Sequence, residues 1–183
     1  MDLFASYGYR GTSLARIARA AGVTKGALYW HFTDKEEFFL AVVDKVLREW
    51  NKAFARKPAT TVAEFREEFL SLFETSAELN QKNPWVSRLL LIITLESHKI
   101  GPRVLRAMRK ANKDQLAHLR RVVERGKQLG VFGSTLDAQW SAVQMWTASL
   151  GLALLWYLHG SRFAFQESLN RRAREFFDQW STH

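Results

Sequence analysis

Apolar residues recur every three or four positions along most of this chain, which is the spacing of one face of an α-helix. No stretch alternates apolar and polar residues for long enough to indicate a β-strand. Only three prolines interrupt the pattern, at positions 58, 84 and 102. The sequence therefore predicts an all-α fold.

The predicted helices are bounded by recognisable capping residues. A threonine followed three positions later by a glutamate indicates a capping box at Thr33–Glu36 and at Thr61–Glu64. Proline is expected at helix starts at positions 84 and 102, and glycine ends a helix at Gly22 and Gly130. These marks predict helices over residues 2–7, 13–21, 25–31, 34–56, 62–80, 84–99, 103–129, 136–159 and 165–180.

The segment RKPATT around Pro58 is the best candidate for a domain boundary. It separates a small N-terminal unit, residues 1–57, from a larger helical body, residues 58–183. These two ranges are the predicted domains.

Segment 13–31 predicts two short helices joined by a tight turn. The first helix has four apolar residues on one face and two arginines on the other, namely Leu14, Ile17, Ala18 and Ala21 against Arg16 and Arg19. The turn Gly22-Val23-Thr24 contains a glycine suited to a positive φ angle. Two short helices around such a turn are typical of a helix-turn-helix motif.

The second of these helices lies in the sequence TKGALYWHF, where three large polar-tipped rings follow one another. In a helix-turn-helix this helix lies in the DNA major groove and presents its first residues to base edges. Leu28 and Phe32 would anchor it inward, and the small residues Gly26 and Ala27 would allow close approach to DNA. Taken singly, each ring, His31 included, is as often a structural residue. The turn, the small residues and the basic flanks together favour DNA binding.

Residues 3–45, LFASYGYRGTSLARIARAAGVTKGALYWHFTDKEEFFLAVVDK, resemble the N-terminal DNA-binding region of TetR-family transcriptional regulators. The resemblance rests on GYRGTS, IARAAGVTKGALYWHF and DKEEFF, and it departs from the family in the first helix, which is usually longer than the stub predicted here. It implies that Lys25 and Ala27 read bases and that Tyr29, His31 and Lys35 grip phosphates. The whole DNA-contacting set implied by position is Thr12, Ser13, Thr24, Lys25, Gly26, Ala27, Tyr29, Trp30, His31 and Lys35.

The composition fits a partner that is a polyanion. The chain has 183 residues, no cysteine and a formal net charge of +9. Such an excess of positive charge favours nucleic acid as a partner. The family resemblance implies that this partner is double-stranded operator DNA. The lack of cysteine excludes disulfides and thiolate metal sites, and it is consistent with a cytoplasmic location.

Neither a secretory signal nor a membrane span is expected. The opening MDLFASYGYR lacks the basic and apolar regions of a signal peptide. The uncharged stretch 143–158 is shorter than the roughly 20 apolar residues that cross a bilayer. We interpret it as a buried or interfacial helix.

The helical body contains no arrangement of residues typical of an enzyme. Glu96 and His98 are two residues apart, so they diverge on a helix and cannot share a metal ion. A glycine-rich phosphate loop and a nucleophile elbow are both missing from the sequence. We therefore expect neither an enzyme nor a bound metal or cofactor.

The body is rich in bulky apolar residues, for which core packing is the default interpretation. The family resemblance implies a second use, because family bodies commonly enclose an apolar ligand pocket. Such a pocket needs apolar walls and a few polar anchors. The candidate ligand-binding residues are Trp85, Leu89, Ile92, Glu96, Met108, Leu119, Trp140 and Trp146.

The most basic segment is residues 103–127, in which Asp114 and Glu124 are the acidic residues. A solvated helix face is the simplest interpretation, and an anionic effector or a second nucleic-acid surface is the alternative. The last two predicted helices mix small and bulky apolar residues. In the family these two helices form a four-helix interface between subunits, which implies a homodimer.

Together with the resemblance, these observations predict a ligand-responsive one-component transcriptional regulator. Residues 1–57 would be its helix-turn-helix DNA-binding domain, and residues 58–183 would serve effector binding and dimerisation. The regulator would be a repressor that binds a palindromic operator as a homodimer and is released by a small apolar or aromatic effector. The alternative is a DNA-binding architectural or protein-interaction factor with no small-molecule effector.

Overall fold

The computed structural model describes residues 2–55 and 57–182. The regular secondary structure of these residues consists of helices, and an isolated β-bridge pairs Phe132 with Ser181. A short 3-10 turn, Gly160–Arg162, precedes the last helix. The all-α prediction is confirmed. The helices are α1 Asp2–Tyr7, α2 Leu14–Ala20, α3 Lys25–His31, α4 Lys35–Ala53, α5 Val62–Lys82, α6 Pro84–Ile100, α7 Pro102–Gln128, α8 Ala138–His159 and α9 Phe165–Trp180.

The predicted helix boundaries agree with the structure to within a few residues. The largest differences are at the ends of α4 and α5 and at the start of α8, which begins at Ala138 and not at position 136. Helix α4 ends at Ala53, before the predicted end at position 56, which lies outside the described residues. Helix α5 continues to Lys82, because only the Asn83-Pro84 step stops it.

One of the two predicted capping boxes is confirmed and the other is wrong. At the start of α5, the Thr61 hydroxyl accepts from the Glu64 amide at 3.3 Å, and the Glu64 carboxylate accepts from the Thr61 amide at 3.2 Å. At α4, the side chain that accepts from the first turn belongs to Asp34, which receives the Glu37 amide at 2.7 Å. The Glu37 carboxylate in turn accepts from the Thr33 amide at 2.7 Å. The cap is therefore displaced by one residue from the predicted Thr33–Glu36 pair.

The helix-ending glycines adopt the predicted left-handed conformation. Gly22 has φ of 67° and Gly130 has φ of 71°. After α2, the Val23 amide donates to the carbonyl of Ala18 at 3.0 Å, and the Gly22 amide donates to that of Arg19 at 3.3 Å. This pair of bonds is a Schellman motif, which satisfies the last carbonyl groups of the helix.

The chain forms two compact units, of which the first comprises the residues up to Asn51 together with Pro84–Ala111. Phe39, Val43 and Val46 of α4 are almost completely buried at its centre. Residues from α6 and the start of α7, Leu89, Ile93 and Val104, belong to the same core. The helix-turn-helix is therefore supported by residues that lie some 50 or more positions further along the chain.

The second compact unit comprises Lys52–Asn83 and the chain from Asn112 onward. Its core is aromatic, with Phe65 and Phe132 rings 5.2 Å apart and Phe69 and Phe132 rings 5.4 Å apart, both edge to face. Helix α5 packs mainly against α9, and α8 packs on the same pair. An ion pair between Arg125 and Glu68 is largely buried beside this core.

These packing units differ from the division between residues 57 and 58 that the sequence predicts. The sequence boundary marks a change in local composition, whereas the units are defined by three-dimensional contact and take in discontinuous segments. Helix α7 contributes residues to both units. The functional domains 1–57 and 58–183 remain a prediction.

His118 gives this fold a predicted dependence on pH. Burial lowers the pKa of the His118 imidazole, and the positive charges of Arg121 and Arg125 lower it further, against an opposing effect of Glu68. As the pH falls below about 6.5, the unfolded chain therefore takes up a proton before the folded chain does, so acid lowers the free energy of unfolding. Replacing His118 with glutamine should reduce the loss of stability between about pH 7 and pH 5, measured by urea unfolding. His159→Gln, at an exposed histidine, is the matched control, and an equal effect of both changes would contradict the assignment.

Candidate nucleic-acid interface

Helices α2 and α3 are held together by apolar residues on their inner faces. Leu14 and Ile17 of α2 are buried, as is Leu28 of α3, and Phe32 is half-buried against the same core. The inward roles predicted for Leu28 and Phe32 are confirmed. Ala21, predicted to share the buried face, is exposed, because α2 ends at Ala20 and the chain turns away there.

The opposite face of α3 is a continuous exposed surface. Trp30 is 85% exposed and Tyr29 is 48% exposed, and Lys25, Ala27 and His31 are exposed as well. The Lys25 ammonium lies 5.5 Å from the centre of the Tyr29 ring. Because one helix face is anchored in the core, all these groups project outward together.

Gly26 is a glycine that the fold does not require. Its φ angle is not positive, and a Cβ atom placed there would meet only the Thr24 hydroxyl oxygen, at 3.9 Å. Glycine within a helix is less favourable than alanine by about 1 kcal/mol. Neither the backbone conformation nor the packing inside the chain therefore requires glycine at this position.

Two predicted contact residues, Ser13 and Thr24, cap the helices of the motif. The Ser13 hydroxyl accepts from the Arg16 amide at 3.2 Å, and the Thr24 hydroxyl accepts from the Ala27 amide at 3.1 Å. Both side chains are exposed. Since the oxygen of a hydroxyl accepts while its hydrogen still donates, each can cap its helix and also donate to an anion.

Thr12 is not placed where a side-chain contact with DNA is possible. It is 1% exposed, and its hydroxyl oxygen lies 2.9 Å from the Gly8 carbonyl and 3.2 Å from the Leu3 carbonyl. The hydroxyl therefore ties α1 to the start of α2. The resemblance implied a DNA contact for Thr12, but the structure gives its side chain a structural role.

Lys35 is half-buried, and its ammonium group already has an internal partner. It donates to the Tyr9 carbonyl at 2.9 Å and lies 4.2 Å from the centre of the Tyr9 ring. Burial lowers the pKa of Lys35 from its ordinary value. An ammonium has three donors, so the bond to the Tyr9 carbonyl leaves donors available for a phosphate.

Sequence reasoning missed the interactions made by two arginines in this unit. The Arg16 guanidinium lies 3.6 Å from the centre of the Tyr7 ring. Arg103, at the start of α7, pairs with Asp34 at 3.1 Å and with Glu36 at 3.0 Å. The latter partners are 69 and 67 positions away in the chain, so no local sequence pattern could have revealed them.

The candidate ligand-binding residues are distributed over both compact units. Trp85, Leu89, Ile92, Glu96 and Met108 belong to the first unit, and Leu119, Trp140 and Trp146 belong to the second. Leu89 and Leu119 are buried in the respective cores. Trp140 is 59% exposed, and the Trp146 indole donates to Asn112 at 2.7 Å. Their shared role in a pocket remains a prediction.

An open groove of about 780 Å³ lies between α8 and α9 in the second unit. Leu152, Leu154 and Leu155 of α8 form its apolar part, and Arg171 and Glu175 of α9 form much of its polar part. None of the candidate ligand-binding residues lines this groove.

The basic segment 103–127 contains side chains that make ion pairs and side chains that lie on the exposed surface. Arg103, Arg125 and Lys127 make ion pairs, and Lys127 also donates to the Leu136 carbonyl at 2.8 Å. Arg106 and Arg120 lie on the exposed surface of α7. Part of this positive charge therefore stabilises the fold.

In the part of the chain that the structure describes, no helix is long and apolar enough to cross a membrane, and no group of three or more acidic or histidine side chains could hold a metal ion.

Comparison with known proteins identifies the N-terminal region by sequence. A family model described as bacterial regulatory proteins, tetR family, matches residues 1–42. The HTH-type transcriptional regulator AcrR of Shigella flexneri is 60% identical over 39 residues, which are 21% of this chain and 18% of that protein. The nucleoid occlusion factor SlmA of Actinobacillus pleuropneumoniae is 33% identical over 86 residues, which are 45% of this chain and 41% of that protein. The alignments thus span less than half the length of these relatives.

Comparison of folds extends the likeness to almost the entire chain. The crystal structure of a TetR transcription regulator from Haloarcula marismortui superposes with a TM-score of 0.85. The superposition covers 99% of this chain and 93% of that chain, at 19% sequence identity. The first 42 residues therefore carry the sequence pattern of the tetR family of bacterial regulatory proteins, and the chain as a whole has the fold of the Haloarcula marismortui TetR regulator.

Proposed function

We propose that this protein is a transcriptional regulator that binds duplex DNA by inserting α3 into the major groove. The observation that carries the proposal is the exposed face of α3, where Tyr29 and Trp30 project outward beside a glycine that the fold does not need. A helix in the major groove presents its first residues to base edges. An absent Cβ at Gly26 lets the helix backbone approach the DNA.

The proposed contacts divide into base-reading and phosphate-gripping groups. Lys25 and Ala27, at the exposed start of α3, are proposed to meet base edges. Tyr29 and His31 are proposed to meet the sugar–phosphate backbone, which positions a protein on the duplex without reading its sequence. Ser13, Thr24 and Trp30 complete the proposed surface. Lys35 is proposed to contact a phosphate while it also holds the Tyr9 carbonyl.

The substitution Gly26→Ala should change the stability of the protein and its affinity for DNA in opposite directions. Because a Cβ has room within the chain and alanine favours a helix, stability should rise by about 0.5–1 kcal/mol. Affinity for a duplex selected by the wild-type protein should fall, because the added methyl group faces the DNA. Thermal unfolding and fluorescence anisotropy measure the two effects.

Gly133→Ala is the control for this experiment, since a Cβ there meets nothing within 4 Å and the φ angle is not positive. It should leave DNA affinity unchanged. Undiminished DNA affinity of Gly26→Ala would contradict the insertion of α3.

A homodimer through α8 and α9 is part of the proposal. Leu154, Leu155, Tyr157 and Leu158 of α8 are each 41% or more exposed, and an apolar surface of this kind is usually covered by a partner. Leu152 and Trp156, by contrast, pack on the core of their own unit. Two copies related by a two-fold axis would present two recognition helices to a palindromic operator.

The dimer predicts a specific effect of charge on α8. Leu158, 64% exposed, should lie in the interface, so Leu158→Glu should give a monomer with weak operator binding at concentrations where the wild type is a dimer. Sedimentation velocity measures the oligomeric state. Leu95→Glu, at a leucine of α6 that is 70% exposed, should leave the dimer intact. A wild-type monomer would refute the proposed interface.

We also propose that a small apolar or aromatic effector releases the protein from its operator, so that it acts as a cytoplasmic repressor. The similarity to TetR regulators and the tryptophans among the candidate ligand-binding residues support this part of the proposal. A ligand that binds the DNA-incompetent arrangement more tightly shifts the population away from DNA. Linkage then requires the operator to weaken effector binding by the same factor, typically about 5- to 150-fold.

A panel of apolar and aromatic compounds, added to the protein–operator complex, tests this release. An effector should change tryptophan emission and weaken operator binding, with the reciprocal effect in the reverse titration. Trp140→Ala should alter effector affinity and leave operator affinity without effector unchanged, because the side chain is 59% exposed and outside both cores. Compounds that bind without changing operator affinity would argue against release.

The second candidate function is that of a DNA-binding architectural or protein-interaction factor with no effector. The similarity to a protein named as a nucleoid occlusion factor favours keeping it, since that name describes no small-molecule response. The effector panel distinguishes the two functions, because the second predicts operator affinity that no compound changes.

A further inference from the structure

The first turn of α4 and the residue that caps it make one set of local hydrogen bonds and two sets of tertiary bonds. The Glu37 carboxylate accepts from the backbone and hydroxyl of Thr33, both at 2.7 Å. Lys35 donates to the Tyr9 carbonyl, in the segment between α1 and α2. Asp34 and Glu36 both accept from the Arg103 guanidinium. We call residues 34–37 the α4 junction.

Arg103 supplies the contact of the α4 junction with the start of α7. Its Nη2 atom lies 3.1 Å from Asp34 Oδ2 and 3.0 Å from Glu36 Oε2. Asp34 at the same time accepts from the Glu37 amide through Oδ1. A guanidinium shared between two carboxylates restrains both more than a single exposed ion pair would. Arg103 therefore restrains the capping residue and the first turn of α4 together.

Glu36 is fitted closely against the turn between α6 and α7. Its side chain is 21% exposed, and its Oε1 atom is buried with no hydrogen-bond partner among the described residues. A Cβ atom placed on Gly101 would collide with Oε1 and would lie 2.8 Å from Glu36 Cδ. The absence of a side chain at Gly101 therefore leaves the space in which the Glu36 carboxylate reaches Arg103.

The α4 junction is directly connected to the proposed DNA-binding surface. Helix α3 ends at His31, and only three residues separate it from Lys35 at the start of α4. The bond from Lys35 to Tyr9 adds a second connection, to the segment that leads into α2. A displacement of the junction would therefore be transmitted to α2 and to α3.

We infer that Arg103 is a positioning residue for DNA binding, which holds the α4 junction through Glu36 and Asp34 and thereby sets the orientation of α2 and α3. The inference rests on the proposed function as far as DNA is concerned. Arg103 acts through the two carboxylates, to both of which its Nη2 atom is bound.

A simpler alternative is that Arg103 itself contacts a DNA phosphate, and the two alternatives predict opposite signs for Glu36→Gln. This change removes a negative charge and releases part of the guanidinium. If Arg103 were a phosphate contact, DNA binding would strengthen. If Arg103 is a positioning residue, binding weakens although the protein becomes more positive.

The experiment uses the full chain with three variants, Arg103→Ala, Glu36→Gln and Gly101→Ala. The last keeps every charge and displaces the flexible Glu36 carboxylate by steric contact. Each variant should weaken binding to a duplex selected by the wild type by about threefold to tenfold. The double variant of Arg103→Ala and Glu36→Gln should lose less than the sum, because both remove one interaction. Arg106→Ala, an exposed arginine one turn along α7, is the matched control for charge.

Hydrogen exchange without DNA provides a readout that does not depend on the proposed function. Amides of residues 33–37 and 9–13 should exchange about threefold to tenfold faster in the variants, with melting temperatures close to that of the wild type. Unchanged exchange, or stronger DNA binding by Glu36→Gln, would overturn the inference. A wild type that binds no duplex would refute the proposed function, and the exchange rates would then decide the role of Arg103 alone.

Discussion

The anchoring of α3 by Leu28 and Phe32 is the interaction on which the proposed interface depends. A helix of seven residues is too short to be stable alone in water. Leu28 is buried and Phe32 packs on the same core, so one face of α3 is fixed. The remaining face has no room inside the unit and must project outward. The exposure of Tyr29 and Trp30 follows from this anchoring.

That anchoring in turn depends on helices from elsewhere in the chain. The core beneath the helix-turn-helix contains Phe39 and Val43 of α4, and it also contains Leu89 and Ile93 of α6. A segment restricted to the first 57 residues would therefore expose apolar surface that is buried in the 183-residue chain. Leu89 illustrates the consequence, because a residue assigned to a ligand pocket from its sequence lies in a core that supports the DNA-binding motif.

Several residues of the motif serve the fold and the proposed interface at once. Lys35 holds the Tyr9 carbonyl, and Thr24 caps the helix whose surface it shares. Gly26 is the exception, since nothing inside the chain requires it. A loss of DNA binding after changing Lys35 would therefore combine two effects, whereas the effect of changing Gly26 would belong to the interface.

The sequence by itself determined the helical class, most helix boundaries and the identity of the DNA-binding motif, because these depend on local periodicity, capping residues and short-range spacing. It also determined which residues of α3 are exposed, because anchoring one face of a helix in the core turns the opposite face toward solvent. Tertiary structure alone decided that Thr12 is buried, that Lys35 binds Tyr9 and that Arg103 pairs with Asp34 and Glu36. These facts depend on contacts between residues far apart in the chain, or on which side chains the core encloses, and no local pattern encodes either.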